Sequence, residues 1–364
     1  MDSSQAELDL KFMADAQSLS HLGWGRTFPN PLVGAMVVRD GSVVGPGYHR
    51  EHGSLHAEVE ALNAAGTASA GATLYVTLEP CRHHGKQPPC TDAIIAAGIK
   101  RVVIGRRDPN PEAAGGMDLL QAAGIEVDVV GESIVNRNFR FLHRFAKLPR
   151  PYIAIKLAVS MDGMIADASG SSRWVSGTAA REWVHWLRAG FGAIGVGART
   201  AIADNARLTV RGPVTPRIPP VRVVFDRSGA LPVGHVVFDD VSAAPVTVVI
   251  GANVAASRQV ELATAGARVI VADTTADALK VLWEQGIDSM LMEGGGRFAG
   301  ALLRDGLVDR IYQVQCPVWL GDGTRAWAGL GSPAIESATR WRVVNVEELG
   351  EDGATDVVME MEPG

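Results

Sequence analysis

The chain is poor in cysteine and has no excess of positive charge. Only three cysteines, Cys81, Cys90 and Cys316, occur among 364 residues. That is too few for a disulfide framework and is typical of a reducing compartment. The formal net charge is −6, and charges of one sign form no run, so a nucleic-acid backbone is a poor partner. Metal binding or catalysis is the better explanation for the close pair Cys81 and Cys90.

Long apolar runs are also lacking. The first twenty residues mix acidic and apolar side chains at helical spacing, which predicts neither a signal peptide nor a membrane span. We find no internal repeat and no low-complexity segment. With 47% hydrophobic and 20% charged residues, the chain can bury a sizeable core, and its length favours two domains. We therefore expect a cytoplasmic protein with no nucleic-acid and no membrane partner.

The domain boundary is predicted near Lys147. Pro149 and Pro151 interrupt a helical stretch, and an apolar strand begins at Tyr152, so the predicted domains are residues 1–147 and 148–364. Both halves alternate short apolar strands with helical segments, which predicts an α/β fold for each. The predicted strands of the first half are "VGAMVV", "ATLYVT", "RVVIG" and "IEVDVV", and its helices include "HAEVEALNAAG" and "DAIIAAG".

The second half has more strands than the first. Its predicted strands are "YIAIKLAVS", "AIGVG", "VRVVFD", "VTVVI", "ARVIVA", "SMLMEGG" and "IYQVQCPVW". Its helices include "TAAREWVHWLRAG" and "TADALKVLWEQG". The proline-rich "RGPVTPRIPP" is interpreted as a surface loop. Cys316 lies in an apolar strand and is expected to be a small core residue.

One short segment, "TLEPCRHHGKQPPC", contains four side chains able to bind a metal. They are Cys81, His83, His84 and Cys90. Upstream, His56 and Glu58 lie two residues apart at the start of a predicted helix. Hydrolytic zinc sites keep three protein ligands and leave the fourth position to water. One histidine and two cysteines fit that count.

Zinc deaminases use such a set, with a His-x-Glu element and a Pro-Cys element. Their glutamate is not a ligand and acts as general acid and base. In this chain the pattern corresponds to His56, Cys81 and Cys90 as ligands and Glu58 as proton shuttle. The usual Cys-x-x-Cys spacing is absent, because residues 82–89 separate the two cysteines. The longer spacing either excludes a deaminase or identifies a subclass.

Several motifs in sequence order identify the subclass. They are "PNPLVG", "GYHREHGSLHAEVEAL", "TLEPCRHHGKQPPC", "DPNPEAAGG", "RPYIAIKLAVSMDGMIA", "SSRWVSG", "ARTAIADNARLTVR" and "MLMEGGGRFAGALL". Over nearly the whole chain they closely resemble the bifunctional riboflavin-biosynthesis deaminase-reductase family, in which the longer cysteine spacing is characteristic. Three positions depart from that family: Gly192 replaces a usual aspartate, Ala206 replaces a usual proline, and "EAAGG" is about one residue short.

The resemblance implies both fold and function. It implies an N-terminal cytidine-deaminase-like three-layer α/β/α domain followed by a dihydrofolate-reductase-like α/β domain. The first would bind one Zn²⁺ per chain and deaminate diaminohydroxyphosphoribosylaminopyrimidine hydrolytically. The second would use NADPH to reduce the ribosyl group of 5-amino-6-(5-phosphoribosylamino)uracil to ribityl. The implied partner is a small-molecule substrate, and a homo-oligomer is left open.

For the deaminase half, the resemblance implies that Asn30, His49, His83 and Lys86 face the substrate. His83 and His84 are then not zinc ligands. The chemistry agrees, because a fourth protein ligand would close the site and leave no position for water.

For the reductase half, "EGGGRFAG" follows an apolar strand and formally matches a dinucleotide fingerprint at Gly294, Gly296 and Ala299. A glycine turn required only for tight packing is the alternative, and the resemblance favours phosphate binding. The implied cofactor contacts are Ala158, Trp174, Thr200, Asp204, Gly295, Gly296, Arg297, Phe298, Ala299, Gly300 and Ala301. The implied substrate contacts are Ser172, Arg188, Leu208, Arg211 and Glu293.

Individual side chains suit these tasks. Arg188 and Arg211 can hold a phosphate bidentately, and Glu293 can accept hydrogen bonds from the ribose or the ring. Lys156 and Asp162 are candidates for proton delivery, although a salt-bridged strand end would explain them equally well. Two other functions remain as alternatives. One is a deaminase of another base or nucleoside with a degenerate, binding-only second domain, and the other is a non-enzymatic module with a structural zinc.

Overall fold

The computed structural model describes residues 3–84, 87–131, 137–173, 175–331, 334–350 and 355–364. The chain splits into two compact units, Met1–Ala146 and Lys147–Gly364, and each unit has its own main sheet. None of the helices in these described ranges combines the length and apolar character needed to cross a membrane.

The first unit is built on a five-stranded sheet with strand order β2-β1-β3-β4-β5. Strand β1 runs antiparallel to both of its neighbours, whereas β3, β4 and β5 are parallel. In chain order the elements are α1 (Ser3–Ser20), β1 (Gly34–Arg39), β2 (Ser42–Tyr48), α2 (Ala57–Ala65), β3 (Thr73–Val76), α3 (Cys90–Ala96), β4 (Arg101–Ile104), α4 (Gly116–Ala122), β5 (Glu126–Val129) and α5 (Phe139–His143).

Helices cover both faces of this sheet. Alternate residues of β1 belong to two different cores, because successive side chains of a strand point to opposite faces of the sheet. Ala35 and Val37 belong to the core beneath α2, α3 and α4. Met36 and Val38 belong to the core beneath α1. The predicted three-layer arrangement is therefore confirmed.

Strand β2 was not predicted from the sequence. It contains Pro46 between two glycines, a composition that disfavours a strand. A Cβ atom on Gly45 would lie 2.2 Å from the carbonyl oxygen of Ala61, and one on Gly47 would lie 2.4 Å from the nitrogen of Ala61. Only glycine lets α2 pack this closely against β2, so a tertiary contact explains the composition.

The second unit is built on a nine-stranded sheet with order β11-β10-β9-β8-β12-β6-β13-β16-β15, next to a small β14-β7 pair. Its strands are β6 (Tyr152–Ser160), β7 (Met164–Ala166), β8 (Ala193–Gly197), β9 (Val221–Phe225), β10 (Val246–Ile250), β11 (Ala267–Val271), β12 (Ser289–Glu293), β13 (Arg310–Cys316), β14 (Thr324–Arg325), β15 (Trp341–Leu349) and β16 (Asp356–Pro363). Its helices are α6 (Thr178–Ala189), α7 (Ala198–Asp204), α8 (Ala256–Thr264), α9 (Thr275–Glu284) and α10 (Gly296–Arg304).

The two faces of strand β6 have different environments. Ile155, Leu157 and Val159 pack into the main core with residues of α9 and α10. Lys156 and Ala158, on the opposite face, remain partly exposed. The predicted strands and helices of this half are confirmed, and Cys316 is fully buried as expected.

Candidate active sites

The first unit contains a cavity of about 340 Å³. It brings together six of the residues selected from the sequence, namely Asn30, His49, His56, Glu58, Cys81 and His83. They come from three separated segments of the chain: the loop before β1, the segment around the start of α2, and the segment after β3.

His56, Cys81 and Cys90 form a compact group of potential ligands. His56 immediately precedes α2, Cys90 is the first residue of α3, and Cys81 lies in the loop between β3 and α3. The Nδ1 atom of His56 lies 3.2 Å from the Sγ atom of Cys90 and 3.6 Å from that of Cys81. In a tetrahedral zinc site, a nitrogen and a sulfur ligand are separated by about 3.6 Å. The donor set therefore fits Zn²⁺.

Polar groups around Cys81 favour its ionised form. Hydrogen bonding by Cys90 and then by His56 lowers the pKa of the Cys81 thiol, and these contacts outweigh the effect of burial. The backbone N–H of Cys90, at the start of α3, lies 3.4 Å from the Cys81 sulfur. A thiolate is the form of cysteine that binds metals.

Glu58 lies beside this group but outside it. It is in the first turn of α2 and is 4% exposed, and its carboxyl group interacts with Cys90. Burial raises the pKa of Glu58, and the charge of His56 opposes that shift. A buried carboxyl group beside the ligand group can take up and release a proton, as general acid–base catalysis requires.

His49 and Asn30 also line the cavity, and the ring centroids of His49 and His56 lie 5.7 Å apart. The Nδ1 atom of His49 lies 2.9 Å from the carbonyl oxygen of Leu55. Because that oxygen can only accept, Nδ1 donates, and Nε2 accepts from the side-chain amide of Asn30 at 3.1 Å. Burial lowers the pKa of His49, with smaller contributions from His56 and His52. With Nδ1 donating to Leu55, Nε2 of His49 is the atom that orients the amide of Asn30.

His83, His84 and Lys86 differ in their placement. His83 lines the cavity from an exposed position. His84 is exposed and is not among the lining residues. Lys86 lies outside the described residues.

The loop that follows β4 borders the cavity, and the sequence analysis quoted its motif "DPNPEAAGG" without assigning any of its residues to the site. Asp108 and Asn110 line the cavity, as do Phe141 and Arg144 farther along the chain. The carboxylate of Glu79 organises this loop by accepting from the backbone N–H groups of Asp108, Gly115 and Met117 at 2.9–3.1 Å. A polar segment at the carboxyl end of a parallel strand could have revealed these residues.

In the second unit, Arg188 on α6 pairs with Glu293 at the end of β12. The Nε and Nη2 atoms of Arg188 lie 2.7 and 2.6 Å from the two carboxylate oxygens, and Nη1 donates to the Thr209 carbonyl at 2.8 Å. All three nitrogens of the guanidinium thus have partners within the protein. This arrangement differs from a bidentate grip of Arg188 on phosphate.

Lys156 and Asp162 have different environments. Lys156 is the register partner of Glu293 in the parallel pair β6 and β12, and burial lowers its pKa while Glu293 opposes the shift. Asp162 accepts from Ser160 and from the backbone N–H groups of Leu320 and Gly321, which hold its pKa below the usual range. Asp162 therefore stabilises a turn, and Lys156 is the better candidate for a proton donor.

Several implied cofactor residues meet near the start of α10. The backbone N–H of Gly295 donates to the Thr200 hydroxyl at 3.0 Å. A Cβ atom on Gly296 would lie 2.2 Å from the Arg325 carbonyl oxygen, and one on Gly300 would lie 1.9 Å from that of Ala328. These glycines are thus required for packing. The first N–H groups of α10 nevertheless lack intrahelical partners, as at any helix start, so phosphate can also bind there.

The remaining implied residues are spread around the same part of the unit. The Ser172 hydroxyl donates to Asp204 at 3.4 Å, and Ala158 is partly exposed on β6. Arg297, Phe298, Ala299 and Ala301 lie within α10. Leu208 is buried with a φ of 55°, and Arg211 is exposed. Trp174 lies outside the described residues.

Comparison with known proteins shows which family the chain belongs to. Residues 6–106 match the cytidine and deoxycytidylate deaminase zinc-binding region, and residues 151–355 match the RibD C-terminal domain. A riboflavin biosynthesis protein RibD of Aquifex aeolicus is 41% identical, with 95% of this chain and 97% of that protein covered. That of Escherichia coli is 37% identical, with 94% and 97% covered. The chain belongs to the RibD family.

Solved structures of RibD proteins have the same fold. The Thermotoga maritima structure, whose title describes a diaminohydroxyphosphoribosylaminopyrimidine deaminase/5-amino-6-(5-phosphoribosylamino)uracil reductase, has a TM-score of 0.78 at 35% identity, with 99% of this chain and 100% of that chain covered. A RibD structure from Acinetobacter baumannii has a TM-score of 0.78 at 34% identity, with 99% of both chains covered.

The three positions that depart from the family pattern all make contacts with the surrounding structure. Gly192 donates its backbone N–H to the Ser289 hydroxyl at 2.9 Å. Ala206 packs against the core that contains Leu208. The "EAAGG" loop is held by Glu79 through Gly115. Each departure therefore has a defined packing or hydrogen-bonding partner.

Proposed function

We propose that the first unit carries the deaminase site and the second unit the reductase site of this RibD-family enzyme. The enzyme is a bifunctional deaminase-reductase of riboflavin biosynthesis that uses Zn²⁺ and NADPH. The observation that carries the assignment is the group of His56, Cys81 and Cys90 beside the buried Glu58 in the first-unit cavity.

The deaminase substrate is diaminohydroxyphosphoribosylaminopyrimidine. Zn²⁺ held by His56, Cys81 and Cys90 supplies the Lewis acidity that makes water a nucleophile near neutral pH. Glu58 takes the proton that this water loses and delivers it to the exocyclic nitrogen, so that a C–O bond replaces the C–N bond and ammonia leaves. His49 holds the Asn30 amide in place beside the pyrimidine ring of the substrate.

A structural zinc would have no use for a buried carboxyl group beside its ligands. In such a protein the desolvation of the buried Glu58 carboxyl group would cost free energy with no catalytic function to require it. Its position supports catalysis over the non-enzymatic alternative. The pairing of Arg188 with Glu293 likewise supports a working second site over a degenerate binding domain.

The reductase substrate is 5-amino-6-(5-phosphoribosylamino)uracil. NADPH supplies the hydride for the opened ribose, and the protein positions both molecules. Arg211 is assigned to the substrate phosphate, because its exposed side chain has no ion pair among the described residues. Arg188 fixes the Glu293 carboxylate, which accepts from the substrate, and Lys156 next to it supplies the proton.

Deamination precedes reduction in this proposal. Replacing an amino group by a carbonyl exchanges a hydrogen-bond donor for an acceptor, and a site with buried polar groups discriminates strongly between the two. The second unit also prefers NADPH to NADH, because the strand that follows the glycine motif lacks the acidic residue that reads an NAD ribose.

Purified protein supplied with the undeaminated pyrimidine and NADPH provides the test. Ammonia release and loss of nicotinamide absorbance are followed together. Glu58→Gln is expected to stop both steps with this substrate while reducing the uracil compound normally. If Glu58→Gln consumes NADPH with the undeaminated pyrimidine at the wild-type rate, the proposed order is wrong.

The remaining proposals concern partners and location. The protein acts on a small molecule, and we propose that nucleic acid and membranes are not its partners, which the net charge of −6 supports. A cytoplasmic location is supported by the low cysteine content, since the chain has only three cysteines and two of them are assigned to zinc. The sequence leaves a homo-oligomer open, and light scattering of the purified chain measures the oligomeric state.

A further inference from the structure

Helix α6 and the loop after α7 are joined through His185. The Nδ1 atom of His185 accepts the backbone N–H of Arg211 at 3.1 Å. One turn later on the same helix, Nη1 of Arg188 donates to the carbonyl of Thr209 at 2.8 Å. Residues three apart on a helix lie on the same face. The loop therefore has two attachments to α6, one on each side of Val210.

The other end of this loop is fixed by packing. Leu208 is 4% exposed and packs in a core with Ile194, Val196 and Ala201. Its φ of 55° is unusual for a residue other than glycine. Such a conformation is retained only where the surroundings enforce it. The backbone from Leu208 to Arg211 is thus constrained, although Arg211 itself is exposed.

The acceptor role requires a neutral ring, since an imidazolium has two donors and no acceptor. Burial, together with the charges of Arg188 and Arg211, lowers the pKa of His185 to about 4, although Glu293 and the Thr209 backbone act in the opposite direction. His185 is therefore neutral over the whole range in which the enzyme would be assayed.

We propose that His185 is a positioning residue for the reductase: by accepting the Arg211 N–H, it holds the Arg211 side chain where the substrate phosphate binds. This inference rests on the proposed assignment of Arg211 to the phosphate. His185 itself touches neither the substrate nor the nicotinamide. Its contribution is to the affinity for the phosphorylated substrate and not to the hydride step.

Two replacements of His185 distinguish the contribution of its aromatic ring from that of its hydrogen-bond acceptor. His185→Phe keeps an aromatic ring and removes the Nδ1 acceptor, whereas His185→Asn loses the ring and places an amide oxygen near the position of Nδ1. His185→Ala removes both. Glu182→Gln, on an exposed position of the same helix, is the matched control.

The measurements are reductase KM and kcat with the phosphorylated uracil substrate and with its dephosphorylated form, and the NADPH Kd from fluorescence. His185→Phe and His185→Ala are expected to raise KM for the phosphorylated substrate about tenfold. Their kcat, their NADPH Kd and their KM for the dephosphorylated substrate stay near the wild-type values. His185→Asn recovers most of the loss, and Glu182→Gln shows none.

Two results overturn the inference. One is an unchanged KM in both His185→Phe and His185→Ala. The other is a lower kcat, weaker NADPH binding and a higher KM for both substrates in all three His185 variants. That result would mean a purely structural role. Arg211→Met tests the underlying assignment separately. If Arg211→Met does not distinguish the two substrates, the phosphate role of Arg211 fails, whatever His185 does.

Discussion

Arg188 holds the carboxylate of Glu293 through two nearly parallel hydrogen bonds of 2.7 and 2.6 Å. The two side chains are only 12% and 15% exposed. The Arg188 charge holds the pKa of Glu293 below its usual range although burial acts in the opposite direction. Glu293 therefore depends on Arg188 to remain ionised inside the protein, and its carboxylate in turn balances the buried charge of Arg188.

Arg188→Ala is expected to destabilise the second unit by about 3 kcal/mol, because it leaves the charge of Glu293 buried without its partner. Urea unfolding of the full chain measures the loss. The double variant Arg188→Met with Glu293→Gln should recover part of it. Arg304→Ala, which breaks an ion pair whose partners are 56% and 47% exposed, serves as control and should cost less than about 1 kcal/mol. Equal losses for Arg188→Ala and Arg304→Ala would contradict this account of the pair.

Glu58→Gln should keep zinc and lose deamination. The amide preserves shape but cannot transfer the proton, so ammonia release is expected to fall by about a hundredfold to ten-thousandfold. Metal analysis by mass spectrometry and an ammonia assay on the same sample check both parts. Glu60→Gln, on the same helix in an ion pair with Arg50, should deaminate normally. Near-normal deamination by Glu58→Gln would remove Glu58 from the assigned role.

Cys90→Ala should lower the zinc content itself. Cys90 contributes one of three donor atoms that lie within 4.8 Å of one another, and its loss leaves only two. Cys316→Ala is the matched control, because Cys316 is equally buried but lies in β13 of the other unit. Stoichiometric zinc in purified Cys90→Ala would exclude Cys90 as a ligand.

The stability of the first unit should fall in acid through Asp9. Burial raises the pKa of Asp9, but hydrogen bonds from Arg101, Tyr75 and Gln5 outweigh burial, so the net shift is downward. A carboxyl group with a lowered folded-state pKa stabilises the fold fully above its unfolded pKa of about 3.9. That stabilisation is lost as the pH falls through the folded-state value.

The measurement is thermal unfolding of the full chain between pH 2 and pH 7, with hydrogen exchange locating the first unit. Asp9→Asn is expected to be destabilised at neutral pH, and its difference from wild type should shrink as acid protonates Asp9. Asp15→Asn on the same helix, from an exposed pair with Lys11, should differ little at any pH. A difference for Asp9→Asn that is independent of pH would count against the ion pair as its cause.

The predicted domains should be separable. Residues 1–147 are expected to deaminate and residues 148–364 to reduce the uracil compound, because each compact unit has its own sheet and core. Circular dichroism and the two activity assays on the separate fragments check this. If neither fragment folds while the full chain does, the boundary near Lys147 is wrong.

The sequence predicted most of the fold because the strands and helices follow simple periodicity. Strand β6 is a mainly apolar run, and helix α6 has its buried side chains at helical spacing, so neither prediction needs tertiary information. Strand β2 could not be predicted, since its glycines are explained only by the approach of Ala61. The pairing of β15 with β16 was also missed. These strands are only partly buried, so their apolar pattern is weak.

Some site residues could be predicted from the sequence, and others could not. The triad His56, Cys81 and Cys90 could be selected because ligand type and number restrict the choice strongly. Residues that act through backbone contacts carry no such signal. Glu79 and His185 look like ordinary polar residues in the sequence, and only the folded chain shows which N–H groups they accept.

The glycines of β2 have a consequence for genetic variation. An added methyl group at Gly45 or Gly47 would collide with the backbone of α2, and His56 and Glu58 lie at the start of that helix. Inactivating variants should therefore arise in a strand that contributes no catalytic side chain. A survey that counts only changes of catalytic or ligand residues would wrongly class them as harmless.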